Sequence, residues 1–441
     1  MRIRALPIAF LACALVSWPL AAQQPPAKPA QSMPANDLHR LRVMLKEALE
    51  TVQRNYYDSA FHGLDLAARF KDFDERLKSA PSMNVGLTLI AAFLDGLKDS
   101  HTSFQPPARN YTLEYGYRLI VIGDDIYVKR VKEGSDAGAK VRPGDRLLSL
   151  NNSGVSRESF HRMQYLLNTL QPQPTTRLQL RDPAGAERTV VVETKVTPGR
   201  AVRDLFAGGG ADLQDLEREA EAEGMLMRQR YAEIGDATIW KMPWFFNENA
   251  EIDRIFSDVK KHQALVLDLR GNPGGLVDTL RRMIGNVFTE DIAIGQRVTR
   301  KGRSTLTAKS RGNAAFTGKL IVLIDAASGS SAEILARIVQ LEKRGLVIGD
   351  RSAGAVMESK LYPFAQGNPM IVYGFSVTDA DLIMKDGKSL EGIGVTPDEV
   401  IRPTGADLAA GRDPALARAA ELAGVPIDAV AAGKLFPYQW K

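Results

Sequence analysis

The sequence predicts an α+β chain of several domains, and three changes in hydrophobic pattern predict it. Over residues 36–99 apolar side chains recur at three and four positions, the mark of helices with one buried face. Over 117–195 the pattern shortens to brief strand-like runs broken by glycine. Between 264 and 349 apolar strands alternate with helical stretches, as in an α/β sheet covered on both faces. A chain of 441 residues, 44% hydrophobic and 25% charged, has the length for two or three domains, each with its own core.

Residues 1–22 read as a signal peptide. Arg2 and Arg4 form its charged start, Ile8 to Val16 its apolar stretch and Ala21-Ala22 its small-residue exit. The apolar stretch falls short of the roughly 20 residues that a membrane span requires. No stable span is therefore expected once the leader is cut. The expected location is the periplasm or the exterior. The single cysteine, Cys13, lies in this leader, where Phe10-Leu11-Ala12-Cys13 offers lipid anchoring as a minor alternative. The chain after it has no thiol for a disulfide, a nucleophile or a metal site. Residues 23–35, rich in Pro, Gln and Ala, read as a flexible linker. The formal charge is +5, of which Arg2 and Arg4 in the leader supply two and leave +3 for the rest, with no Lys/Arg-dense block; nucleic acid is not an expected partner.

Leu38, Leu41, Leu45, Leu49, Val52 and Tyr56 lay an apolar stripe along a first helix that Asn36 or Asp37 could cap. A later helix holds Leu87, Ile90, Phe93, Leu94 and Leu97 and ends near Asp99. There Ser100-His101-Thr102 begins an extended segment closed by Pro106-Pro107. Strand-like runs follow at 126–128, 147–150, 177–181 and 189–192, interrupted by a helix around Ser156 to Leu167. Residues 211–230 read as a charged helical bridge. Strands are then expected at 237–240, 264–268, 320–325 and 346–349, and a last helix at Pro414 to Leu422.

Two turns stand out chemically. The apolar strand before Asp325-Ala326-Ala327-Ser328-Gly329-Ser330-Ser331 runs through small residues straight into a helix with Ile334, Leu335 and Ile338 on its buried side. A hydroxyl on such a turn is lifted out of the sheet, beside the free amides of a helix N-terminus that can meet a forming anion. Composition alone does not separate Ser328, Ser330 and Ser331. The second turn, Arg270-Gly271-Asn272-Pro273-Gly274-Gly275, ends a buried strand and lets a substrate carbonyl approach the backbone. A hydroxyl nucleophile needs a base. Of His39, His62, His101, His161 and His262, only His101 lies at a helix-to-strand junction, hedged by Asp99, Ser100 and Thr102. No histidine pairs with another at helical spacing, so no metal is called for, and no cofactor either.

In this order the pieces resemble the C-terminal processing peptidases and the tricorn-type peptidases related to them. The resemblance rests on Asp99 to Thr102, Asp268 to Gly275, Ser328 to Glu333, Gly349 to Ala355 and Glu391 to Asp398, and spans roughly 36–422. It implies a crotonase-like α/β peptidase core and a PDZ-like domain ahead of it. It puts the nucleophile at Ser330, three residues before Glu333. The processing branch carries a lysine base in a Gly-Lys-Gly turn; here that turn reads Gly354-Ala355-Val356, and Lys360 would need a different loop to replace it. The tricorn-type branch uses histidine instead. On that pattern His101 is the base, Glu391 the acidic member acting directly or through Ser100, and the N–H of Ser331 with that of Gly274 or Gly275 the oxyanion hole.

Within the PDZ-like domain, Gly116-Tyr117-Arg118-Leu119 resembles the loop that cradles a chain terminus, and the strand after it would pair with a peptide. The implied domains are a helical one at 36–111 ending in the histidine, the PDZ-like domain at 112–197 and a helical bridge at 198–230. The peptidase core follows at 231–403, then a helical tail at 404–441. The expected protein is an exported serine endopeptidase acting on peptides or unfolded proteins through an acyl-enzyme. The alternatives are a silent peptide-binding scaffold and a hydrolase of another acyl substrate. Retaining hydroxyl, imidazole and carboxylate together weighs against silence.

Overall fold

The computed structural model describes residues 33–198, 229–367, 370–438 and 440. The leader at 1–22 with Cys13, and nearly all of the linker at 23–35 and the bridge at 198–230, lie outside the described residues. Among the described residues no helix is long and apolar enough to cross a membrane.

The first helix runs Ala35–Asn55, followed by helices Leu66–Lys78 and Met83–Asp95. Neither Asn36 nor Asp37 caps the first one. It starts earlier, directly after the extended Pro34, and Asp37 instead sits in the first turn, where a carboxylate complements the helix N-terminus. The three helices share a core with Phe104, Tyr373, Phe375 and Val377, so this unit rests on a sheet. Asp65 and Ser82 cap the second and third helices through their side chains.

That sheet joins distant segments. Ser103–Gln105, just after His101, pairs antiparallel with Ile371–Met384, setting Phe104 opposite Phe375. Ile371–Met384 also pairs with Met357–Gln366 and with Ile292–Thr299, which pairs in turn with Gly302–Ala308. The PDZ-like unit is a separate antiparallel sheet, in which Tyr117–Ile122 is an edge strand beside Asp125–Val131. The expected helix there is Arg157–Tyr165, with Ser156 and Ser159 closing a reciprocal cap.

The central sheet has the order Arg230–Ile234, Ala237–Lys241, Ala264–Asp268, Lys319–Ile324, Leu346–Gly349, Glu399–Val400, and all but the first pair are parallel. Parallel strands buried on both faces need two covering layers. Leu265, Leu267, Leu320 and Val322 face the helices Asn249–Val259, Val277–Val287 and Ser331–Leu341. Val266, Ile321 and Leu323, at the alternate positions, face Leu416, Ala419 and Ala420 of helix Pro414–Leu422. The C-terminal helices thus complete the core's second layer.

Arg270 locks that layer. Its guanidinium donates to both oxygens of buried Asp268 at 2.9 and 2.8 Å and to both oxygens of Asp413 at 2.8 Å, while Asp413 caps the helix at Leu416 N. Burial works against both charged carboxylates, but Arg270 outweighs it and holds them below the usual range. Asp413→Ala removes a helix cap and leaves half the fork unmatched, and it is expected to cost about 2–4 kcal/mol. Groups with depressed folded pKa values stabilise above their unfolded pKa and lose that contribution as pH falls. The deficit of the variant, measured by urea titration, should therefore be full at neutral pH and shrink below about pH 4.

Candidate active site

Strand Lys319–Ile324 delivers the serine turn to the edge of the sheet, and the three serines there have different fates. Ser328 is fully buried; its hydroxyl donates to Leu269 O at 2.8 Å and accepts from Asp325 N at 2.9 Å, which ties the two turns together. Ser331 is buried, with its hydroxyl on Gly275 O at 3.1 Å. Ser330 alone is partly exposed, and its backbone is held at φ 50°, ψ −117°, in front of helix Ser331–Leu341. A non-glycine residue in that region stores about 1–3 kcal/mol of strain, which the surroundings must over-determine.

The glycine turn lies against it. A side-chain carbon at Gly274 would stand 2.6 Å from Ser330 Cβ and 2.9 Å from Ser331 N, so only glycine fits this approach. The Gly274 N–H is already spent on Asn272 Oδ1 at 2.8 Å. The N–H groups of Gly275 and Ser331 donate to no other group among the described residues.

His101 reaches the site by long-range pairing. Asp99 Oδ1 accepts from His101 N at 3.0 Å, Thr102 N at 2.7 Å and the Thr378 hydroxyl at 2.6 Å, closing the turn before the strand. The imidazole Nδ1 lies 2.7 Å from Ser100 Oγ, and Ser100 Oγ donates to Glu391 Oε2 at 2.9 Å. Glu391 therefore meets the histidine through Ser100. The carboxylate also accepts from Ser100 N at 2.7 Å and Val356 N at 2.8 Å. Burial raises the Glu391 pKa, and these hydrogen bonds pull it back. With Glu391 ionised, the single Ser100 proton is committed to it. Ser100 Oγ must then accept from Nδ1–H, which leaves Nε2 as the free lone pair. Burial lowers the His101 pKa from 6.5, partly opposed by Asp99, so the ring is neutral at pH 7. Among the described residues no hydrogen bond joins the Ser330 hydroxyl to His101.

One peptide group connects the two halves. Ser330 N donates to Ala355 O at 2.9 Å, and the N–H across that same peptide bond, Val356 N, is the one held by Glu391. The Ala355 loop is itself fixed by Glu333, which is wholly buried. Its oxygens accept from Gly354 N at 2.7 Å, Ala355 N at 2.9 Å, Ser330 N at 3.0 Å and the Ser352 hydroxyl at 2.6 Å. In the sequence Glu333 stands out only by its three-residue offset from Ser330. Its Ser-x-x-Glu spacing from Ser330 is the capping-box signal that could have revealed this role. Lys360 lies apart, paired with Asp379 at 2.8 Å, and that bond raises its pKa, so it stays protonated.

Gly116, Tyr117, Arg118 and Leu119 all line one groove, a cavity of about 420 Å³ between the edge strand and Met163–Asn168. Gly116 has φ 72°, and a side-chain carbon there would stand 2.5 Å from Ser135 Oγ. Among the described residues no cluster of three or more His, Cys, Asp or Glu side chains is placed to hold a metal ion.

Residues 234–401 match the profile of peptidase family S41. The chloroplastic C-terminal processing peptidase of Tetradesmus obliquus is 24% identical over 85% of this chain and 80% of its own length. The carboxy-terminal-processing protease of Bartonella bacilliformis is 26% identical over 51% of this chain and 49% of its own length. Mature CPAF shares the fold, with a TM-score of 0.65 at 16% identity, covering 85% of this chain and 95% of that one. The family match and these relatives identify the protein as a serine peptidase, with the similarity to peptidase family S41 at residues 234–401.

Proposed function

We propose that the protein is an exported endopeptidase in which Ser330 attacks the scissile carbonyl, His101 is the base and Glu391 acts through Ser100. The observation that carries this reading is the relay Glu391–Ser100–His101, which leaves a neutral Nε2 acceptor while Ser330 is held in a strained turn. In the attack, Nε2 takes the Ser330 proton as the Oγ–C bond forms, and the carbonyl oxygen becomes the oxyanion. The N–H groups of Gly275 and Ser331 receive that charge. Gly274 is disfavoured because its N–H is occupied by Asn272. The imidazolium then protonates the leaving amine, and water, deprotonated by the same nitrogen, hydrolyses the acyl-enzyme. The missing Ser330–His101 hydrogen bond would tighten when substrate fills the site. This histidine-based scheme is the tricorn-type reading, on a core of crotonase-like type, and it fits the alanine at position 355. The leader expected at 1–22 would deliver the chain to the periplasm or the exterior.

Ser330→Ala should abolish peptide hydrolysis without loss of fold, since it removes one partly exposed hydroxyl. An active-serine phosphonate should label Ser330 in the parent, read by peptide mass spectrometry; a label on Ser328 or Ser331 would move the nucleophile.

The pH profile tests the base. A group that works deprotonated, with its pKa held below 6.5, should make kcat/KM rise with pH through a midpoint on the acid side of about 6.5. His101→Ala should lower kcat by about 10²–10⁴-fold. A parent-like rate in that variant would assign the base elsewhere.

Capture of substrate C-termini is proposed for the groove beside Gly116 to Leu119. Its open edge strand can add a peptide strand, and turn amides can meet a carboxylate. Titrated against the Ser330→Ala chain by fluorescence anisotropy, a peptide with an apolar free C-terminus should bind several-fold tighter than its amide, which carries no anion. Equal affinities would leave the groove indifferent to the terminus.

A further inference from the structure

The groove already holds a side chain from outside the PDZ-like unit. Trp440 forms part of its wall, and the segment leading there carries an aromatic residue at every second position: Phe436, Tyr438 and Trp440. In an extended chain such residues share one face, and Pro437 disfavours a helical turn there. Each ring meets an arginine. Arg230 lies over Phe436 at 5.7 Å, Arg130 over Tyr438 at 4.8 Å and Arg118 over Trp440 at 5.9 Å, all within cation–π range. Arg230 also donates to Pro437 O at 3.2 Å. Tyr438 and Trp440 pack edge to face, with ring centres 5.4 Å apart.

The arginines explain why this match is specific. Arg118, on the edge strand that lines the groove, and Arg130, on the next strand, are direct partners across that antiparallel pair. Like charges placed opposite one another are unfavourable unless something separates or covers them. The two rings of the tail cover both, and the tail crosses from the core, where Phe436 packs beside the C-terminal helices, to the PDZ-like sheet. Arg118 is also one of the residues expected to hold a substrate terminus.

We infer that Tyr438 and Trp440 are an intrachain ligand of the PDZ-like groove, a strap that an incoming substrate C-terminus must displace. The inference rests on the reading of that groove as a peptide site. A ligand tethered by a few residues acts at millimolar effective concentration, so even a weak strap competes strongly with free peptide. It gives the PDZ-like domain a resting occupant and makes capture favour chain ends that outcompete the aromatic ladder. Short peptides that enter the active site without the groove are unaffected by it.

The test is binding, made in the Ser330→Ala chain so that no probe is cut. The probe is a fluorescein-labelled peptide of residues 434–441, titrated against the full chain and against a chain ending at Pro437, which keeps Phe436 in place. The shortened chain should bind the probe saturably, and the full chain at least about tenfold more weakly. Trp440→Ala in the full chain, which keeps every backbone contact, should restore part of that affinity. Equal affinities in the full and shortened chains, or no binding to the shortened one, overturn the strap. An unrelated peptide with an apolar free C-terminus separates the two readings. If it binds the shortened chain and the 434–441 peptide does not, the groove remains a peptide site and only the strap is lost; if neither binds, both fail. Titrations at two concentrations of full chain give the same affinity for a strap seated within one molecule, and a concentration-dependent one, seated in a second copy, overturns the intrachain assignment.

Discussion

The Glu333 carboxylate has no contact with solvent, and its two oxygens take four hydrogen bonds from residues that come from two separate loops. Burial raises its pKa, and the four donors draw it back. Left without those partners, a buried carboxylate would be costly; with them, it fixes everything they belong to. Ser330 N belongs to the strained serine, whose φ of 50° persists because Glu333 and Ala355 both hold its amide. Gly354 N and Ala355 N belong to the loop whose next peptide N–H faces Glu391. The positions of Ser330 and of the loop that meets Glu391 therefore follow from one side chain that has no contact with solvent.

The same loop receives the PDZ-like unit. Arg157, at the start of that unit's helix, donates to Arg351 O at 2.7 Å, to Ser352 O at 2.8 Å and to Gly123 O at 2.9 Å. Asp350 answers from the core, accepting Gly123 N at 2.7 Å and Arg402 Nε at 2.7 Å. Ala326, just past the nucleophile's strand, packs on the PDZ-like core. A shift of the PDZ-like unit would pull on carbonyls four and three residues before Ala355. These are polar contacts with directional geometry, so they transmit position more faithfully than an apolar interface of similar size.

What the sequence made legible follows from how locally each feature is encoded. Ala264–Asp268, Leu346–Gly349 and Pro414–Leu422 occupy the residues expected of them because each is an apolar run or stripe closed by its own turn residues. Ser330 was legible as part of a strand–turn–helix, but not as distinct from Ser328 and Ser331. That distinction lies in hydroxyl partners on Leu269 and Gly275, which are remote in sequence. The strands Met357–Gln366 and Ile371–Met384 went unread for a similar reason. Pro363, Lys360, Asp379 and Asp381 break their apolar pattern, and the charge of Asp379 is matched only across the sheet, by Lys360 at 2.8 Å and Arg297 at 3.5 Å.

That unread hairpin is also what carries the histidine. Ser100 and Glu391 are 291 residues apart, and no local pattern could join them. They meet because Ser103–Gln105 adds to Ile371–Met384, while Thr378 on that strand clasps both Asp99 and Thr102. A lysine in the loop at 355 would bring its own base with the loop and need no such pairing. With alanine there, the proposed base comes from the helical unit, and what brings it in is a three-residue strand supported by stacked Phe104 and Phe375. Small helical domains on enzyme cores are easily regarded as lids, but this one is fastened by the strand that directly follows Ser100 and His101. The apolar contact of its helices with Tyr373, Phe375 and Val377 therefore also holds His101 beside Ser100 and Glu391, as the proposed relay requires.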